Sequence, residues 1–251
     1  MLLSACTLAA FAADTPPRSL AHPYTEIGFS HARENLSTHP KPWTDTQIDV
    51  VHRFAPRKLF LGRATSSERF GLHDDMLAVG GYHPLGERTT AFAELAGSDT
   101  HRVLPRRSAQ FQVGHSVAQG WGVLAGLKHV AYTSTAVDIA ELTLERYFGD
   151  YRAAIGAYPS RSRTSGNAAS YRAQLSRYYG EENNIQVLYA RGIEVDTPTA
   201  AGSVLATSVS SIALFGRHWM SREWALTYSI AHTVQADTIR RGGSLGLRYR
   251  F

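Results

Sequence analysis

Ser244-Leu245-Gly246-Leu247-Arg248-Tyr249-Arg250-Phe251 alternates without a break: Leu245, Leu247, Tyr249 and Phe251 share one parity, Ser244, Gly246, Arg248 and Arg250 the other. Successive side chains of a strand point to opposite faces, so this stretch reads as a strand with one apolar face and one arginine-bearing face. A soluble sandwich produces such a strand once or twice. Here the pattern recurs along the chain. Trp224, Leu226, Tyr228 and Ile230 alternate with Ala225, Thr227, Ser229 and Ala231. Tyr171, Ala173, Leu175 and Tyr179 oppose Arg172, Gln174 and Ser176; Ala109, Phe111, Val113 and Val117 oppose Gln110, Gln112 and Ser116. Ile48, Val50 and Phe54 oppose Gln47, Asp49 and Arg53, and Ile185, Val187 and Tyr189 complete the clear cases. Leu59–Arg63, Leu77–Tyr82 and Ala91–Ala96 read as strands whose facing stays open.

Strands are expected near 23–32, 43–54, 58–65, 74–83, 89–97, 107–117, 121–132, 136–148, 151–160, 169–179, 184–194, 203–215, 223–233 and 242–251. Short joins such as Ala55-Pro56-Arg57, Ala118-Gln119-Gly120 and Gly149-Asp150 alternate with longer polar segments: Arg33–Pro42, Ser66–His73, Ser98–Arg106, Arg161–Ala168, Asp196–Gly202 and Val234–Arg241. Tyr132–Ala136 is the short exception. Tight turns at one end and longer loops at the other describe a transmembrane up-and-down antiparallel β-barrel, all-β, of about fourteen strands, with twelve or sixteen left open. Ten residues at ~3.3 Å each, tilted by ~40°, cross roughly 25 Å of hydrocarbon. A closed barrel pairs every backbone group and leaves no edge, the condition for sitting in lipid. Alternation alone does not separate this from a soluble barrel. Trp43, Trp121, Trp219 and Trp224 all fall at expected strand ends, where indole favours the membrane interface.

Composition agrees. No stretch after the first dozen residues approaches the ~18 apolar residues of a membrane helix. The net charge of +5 comes from scattered arginines without a basic run, so nucleic acid is not an expected partner. The single cysteine, Cys6, excludes a disulfide framework. Residues 1–13 read as a signal peptide: Leu2–Ala12 forms an apolar region and Ala10-Phe11-Ala12 a small-x-small cleavage site. No Lys or Arg precedes Arg18, which implies a start upstream of Met1. A competing reading takes Leu3-Ser4-Ala5-Cys6 as a lipoprotein box. Residues 14–22 follow as a short periplasmic lead-in, and 23–251 as the barrel, with both termini periplasmic.

Ser244, Gly246, Tyr249 and Phe251 fit the pattern polar-x-Gly-x-x-aromatic-x-aromatic, which resembles the last-strand signal read by the β-barrel assembly machinery through strand augmentation. With the leader, the alternation and this terminus, residues 24–251 resemble the YaiO family of outer-membrane β-barrel proteins. Gly120–Tyr132, Val137–Tyr158 and the closing hairpin carry the resemblance. It implies a Gram-negative outer-membrane location and a porin-like fold more than an activity.

Chemistry finds little footing. A lipid-modifying hydrolase needs Ser and His on one strand face. His115 and Ser116, Ser30 and His31, and Ser229 and His232 all have opposite parity. His73-Asp74-Asp75 is the one dense His/carboxylate cluster and reads as solvated loop acids. No cofactor motif is present, and no catalytic or metal residue is assigned. Arg53, Arg172, Arg248 and Arg250, with Arg146 less clearly, are the candidate lumen bases. A ring of arginines favours anionic solutes, for instance a saccharide. Pairing with inward acids such as Asp49 or Glu26 would make them filling instead. Two readings follow: a pore or export channel for a polar or anionic solute, or a structural, surface-interacting barrel with a filled lumen. A lipid-acting enzyme is a third. Outer-membrane lipid and lipopolysaccharide are the expected surroundings.

Overall fold

The computed structural model describes residues 23–180, 182–198 and 204–251. The expectations for residues 1–22, including Cys6, lie outside the described residues. Fourteen antiparallel strands run β1 (Tyr24–Leu36), β2 (His39–Ala55), β3 (Lys58–Arg69), β4 (Leu72–Pro84), β5 (Thr89–Ser98), β6 (Arg107–Ala118), β7 (Trp121–Ala131), β8 (Ala136–Phe148), β9 (Tyr151–Ser162), β10 (Gly166–Tyr179), β11 (Asn183–Pro198), β12 (Val204–Trp219), β13 (Trp224–Gln235) and β14 (Thr238–Arg250). Each pairs with its sequence neighbours, and β1 closes on β14. The closing register runs from Glu26 opposite Arg250 to Leu36 opposite Arg240. Thr25 and Phe251 exchange backbone hydrogen bonds of 3.0 and 3.1 Å, so the seam is sealed to the last residue.

The period-two pattern becomes an inside and an outside. Leu245, Ile230, Ile212, Tyr171, Ile155, Leu127, Phe111, Leu95, Leu77, Ile48 and Phe29 are all exposed on the outer face. A band of this extent around every strand is far beyond the apolar patch a water-soluble monomer shows; hydrocarbon is the solvent that suits it. The opposite parity is buried within the lumen, where Glu26, Gln112, Thr143, Arg152, Ser176, Gln186 and Ser211 lie.

Two expectations need correction. The longer polar segments are mostly not loops. Residues 33–42, 66–73, 161–168 and 234–241 continue as strand and reverse in tight hairpins. At one of these, Phe70 and Gly71 both hold positive φ, 56° and 75°, the twist-matched turn that suits adjoining strands. Polar residues there extend the wall beyond the apolar belt, since a strand in water stays paired if its neighbour is equally long. Residues 99–106 do form a loop. The tryptophans also divide. Trp121 and Trp224 are 41% and 44% exposed on the outer face, whereas Trp43 is only 6% exposed and lies inside. Trp219 also turns inward, beneath Arg250. Both share parity with polar neighbours, Trp43 with Asp45 and Gln47, Trp219 with Arg217.

The lumen is not uniformly polar. Val51, Leu59, Leu61, Tyr82 and Phe92, on β2 to β5, form a buried apolar cluster near the end that carries the termini. The strands of uncertain facing are those where apolar residues occupy both parities: Leu59 and Leu61 line this cluster while Phe60 faces out.

Candidate functional site

The lumen is the site, and it is built as three tiers of arginine, carboxylate and aromatic rings. At the termini end, Arg250 donates to Glu26 at 2.6 and 3.0 Å and to Glu182 at 2.6 Å. Arg248 donates to Glu26 at 3.1 Å and to Asp49 at 2.6 Å. The Arg250 guanidinium also lies 3.9 Å from the Trp219 ring centre and 4.3 Å from that of Tyr24, with Arg53 on Tyr24 at 5.5 Å. Arg152 and Glu145 form a further pair there, both almost wholly buried.

In the middle tier Arg63 meets Glu94 at 3.1 Å, and Gln112 and Tyr158 both donate to Glu141, Tyr158 at 3.1 Å. Arg172 stacks 4.1 Å from the Tyr158 ring centre. At the far mouth Trp43 carries two guanidinium groups, Arg69 at 5.0 Å and Arg240 at 5.1 Å, balanced by Asp45 and Glu34. Between the tiers lies a cavity of about 270 Å³, lined among others by Glu34, Trp43, Asp49, Arg63, Glu94 and Arg217.

The loop 99–106 folds into this mouth. Asp74 shares inward parity with Ala78 and Tyr82 and is fully buried. Its carboxylate accepts the Val103 and Leu104 amides at 2.7 and 2.8 Å and the Thr100 hydroxyl. Val103 and Leu104 are 2% and 3% exposed. The expectation that Asp74 is solvated is therefore corrected; Asp75 alone stays outside, 3.1 Å from His73. On the outer face of β4 the apolar belt ends at Leu77, so Asp74 stands beyond the membrane span. Burial raises its carboxyl pKa, but the bonds from Thr100, Val103 and Leu104 outweigh that and hold it below the ordinary value.

All four lumen arginines named from the sequence thus lie among inward groups. Arg248 and Arg250 are brought together on Glu26, while Arg53 and Arg172 rest on tyrosine rings. Arg146 is not in the lumen; it lies 4.9 Å from the outward ring of Trp121. Of the terminal residues, Ser244 points inward and shares a 2.7 Å hydrogen bond with Ser229, and Gly246 is buried. Tyr249 faces out between Trp224 and Phe251, at 4.8 and 6.0 Å between ring centres. The Ser–His pairs stay split across the wall, for His115 turns out to Thr89 and His31 to Thr46. Glu182 was not named as a lumen residue from the sequence, and Trp43 and Asp74 were read there as an interfacial ring and a solvated acid; parity was the signal available for the last two.

Among solved structures the barrel is similar to the CymD monoaromatic hydrocarbon channel (10% identity, TM-score 0.55, covering 91% of this chain and 88% of that one). The translocator domain of autotransporter NalP from Neisseria meningitidis has the same TM-score, 0.55, at 8% identity, covering 100% and 94%. Omp33 of Acinetobacter baumannii has TM-score 0.51 at 12% identity, covering 91% and 99%. At such identities the likeness is one of fold. A search of curated proteins found no match. Residues 24–197 match the family described as the YaiO membrane beta barrel domain, and with this fold around them the chain belongs to that family of outer-membrane barrels.

Proposed function

We propose that the barrel is a narrow conduit for a polar, saccharide-like solute, oriented with both termini in the periplasm. The observation that carries this reading is the cavity of about 270 Å³ within the wall, where Glu34, Asp49, Arg63 and Glu94 share the lining with Trp43, Val51, Leu61 and other apolar groups. Polar rings with aromatic faces between them suit hydroxyl-rich solutes. The idea of an anion-selecting arginine ring loses support, because Arg248 and Arg250 are neutralised by Glu26, Asp49 and Glu182. That CymD is a hydrocarbon channel adds only that this fold can conduct.

Purified protein in planar bilayers should give small, weakly charge-selective conductance steps. Replacing Arg250 by Ala removes the side chain that spans Glu26, Glu182 and Trp219, and should raise the step size. The apolar cluster at Val51, Leu59, Leu61, Tyr82 and Phe92 favours the second reading, a filled structural barrel. Silence of both wild type and Arg250→Ala would establish that reading and end the first. For orientation, a cysteine placed at Asp237, in the turn opposite the termini, should react with an impermeant thiol reagent on intact cells.

A further inference from the structure

Six inward arginines have acid partners: Arg63 with Glu94, Arg69 with Asp45, Arg152 with Glu145, Arg240 with Glu34, and Arg248 and Arg250 with Glu26. The outer face at the end away from the termini differs. Arg33 on β1 and Arg241 on β14 are both exposed, and among the described residues neither forms an ion pair. Asp237, the acid of the adjoining turn, pairs with neither.

Register brings these two cations to one place. Arg33 lies opposite Gly243, and Arg241 lies on the same face of β14 two residues before that glycine. On the other side Gly243 faces Ile230, and Arg241 faces His232, whose Nδ1 accepts from Arg241 Nε at 3.3 Å. Gly243 has no side chain and packs closely against the Ser229 carbonyl, so no side chain stands between the two arginines. Arg33, Arg241 and His232 thus form one basic patch, with Ile230 beside it across from Gly243 and Leu245 next on the membrane side, 63% and 65% exposed.

Two guanidinium groups beside exposed apolar side chains fit one occupant: a phosphate with acyl chains directly beneath it. Guanidinium binds phosphate through paired charge-assisted hydrogen bonds, and the hydrocarbon of the same molecule covers the leucine and isoleucine. We propose that the Arg33–Arg241 pair holds a phosphate of lipopolysaccharide. This rests on the orientation given above, which turns this rim to the outer leaflet.

The test is lipid retention by the folded barrel in detergent, read by native mass spectrometry. The probes are bisphosphorylated lipid A, the same lipid dephosphorylated, and phosphatidylglycerol. Wild type should retain lipid A about tenfold better than either of the others, the scale of one charge-assisted hydrogen bond. The double variant Arg33→Glu/Arg241→Glu should lose that discrimination. Should charge reversal impair folding, Arg33→Gln/Arg241→Gln, checked by its heat-dependent gel mobility, should lose it as well. Equal retention of the three lipids by wild type, or unchanged discrimination in the glutamine variant, would overturn the proposal. The readout is lipid and not current, so its failure is separate from failure of the conduit reading; absence of labelling at residue 237 would locate the fault in the orientation.

Discussion

Asp74 shows how much a single inward carboxylate can organise. Two amides, a hydroxyl and the Arg102 guanidinium at 3.6 Å converge on it, and the loop 99–106 is held in the mouth as a result. Asp74→Ala leaves two buried amides without acceptors, at about 1–3 kcal/mol each. Limited trypsin digestion should then cut at Arg102 or Arg106 in an otherwise intact barrel. Acid should act in the same direction. Because the folded pKa lies below the ordinary 3.8, the contribution is complete above that value and is lost as pH falls below it towards the folded pKa. Cleavage by an acid-stable protease should rise over that window, and an Asp74→Asn barrel should show no such rise. Gly216 is a second case at this scale. The Tyr228 ring lies across it, where a Cβ would collide with the ring carbons. Gly216→Leu should lower the temperature at which the barrel loses its folded gel mobility, and adding Tyr228→Ala should restore part of the loss.

Among the elements, β14 has two tasks that fall on its two faces. Inward, Arg248 and Arg250 reach Asp49 on β2 and Glu182 before β11, tying the seam to the wall on both sides. Outward, Tyr249 and Phe251 form an aromatic row with Trp224 at the rim. If the outward row serves recognition by the assembly machinery, Tyr249→Ala/Phe251→Ala should reduce the folded fraction in the outer membrane severalfold. The same variant refolded in detergent should reach wild-type yield, since the inward network is untouched; a matching loss in detergent would make the row structural.

Seen whole, the molecule is a sheet that turns its apolar parity outward and lines its lumen with paired charge. Boiling should change its gel mobility, as the sealed wall resists detergent until heated, and it should sediment with the outer membrane. Recovery in the soluble fraction with a single mobility would contradict the outward apolar face. Arg250 crosses the lumen at the termini end between Glu26, Glu182 and Trp219, so conductance should respond to it before it responds to substitutions in the hairpin turns.

Strand number, the closing strand and the face of each clear strand were legible in the sequence, because a period of two is a local property. Leu245 to Phe251 assigns its own sides without reference to any other strand. Turn positions at Pro56, Gly120 and Gly149 were legible for the same reason. The polar segments misread as loops were not, since whether a polar stretch stays extended depends on the length of the strand beside it. Trp43 and Trp219 looked like interfacial anchors by position and proved to be platforms for arginine. Which carboxylate meets which arginine lay beyond the sequence as well. Glu26 and Arg250 are joined only by closure, and it is the register of the seam, set by the whole ring, that decides their meeting.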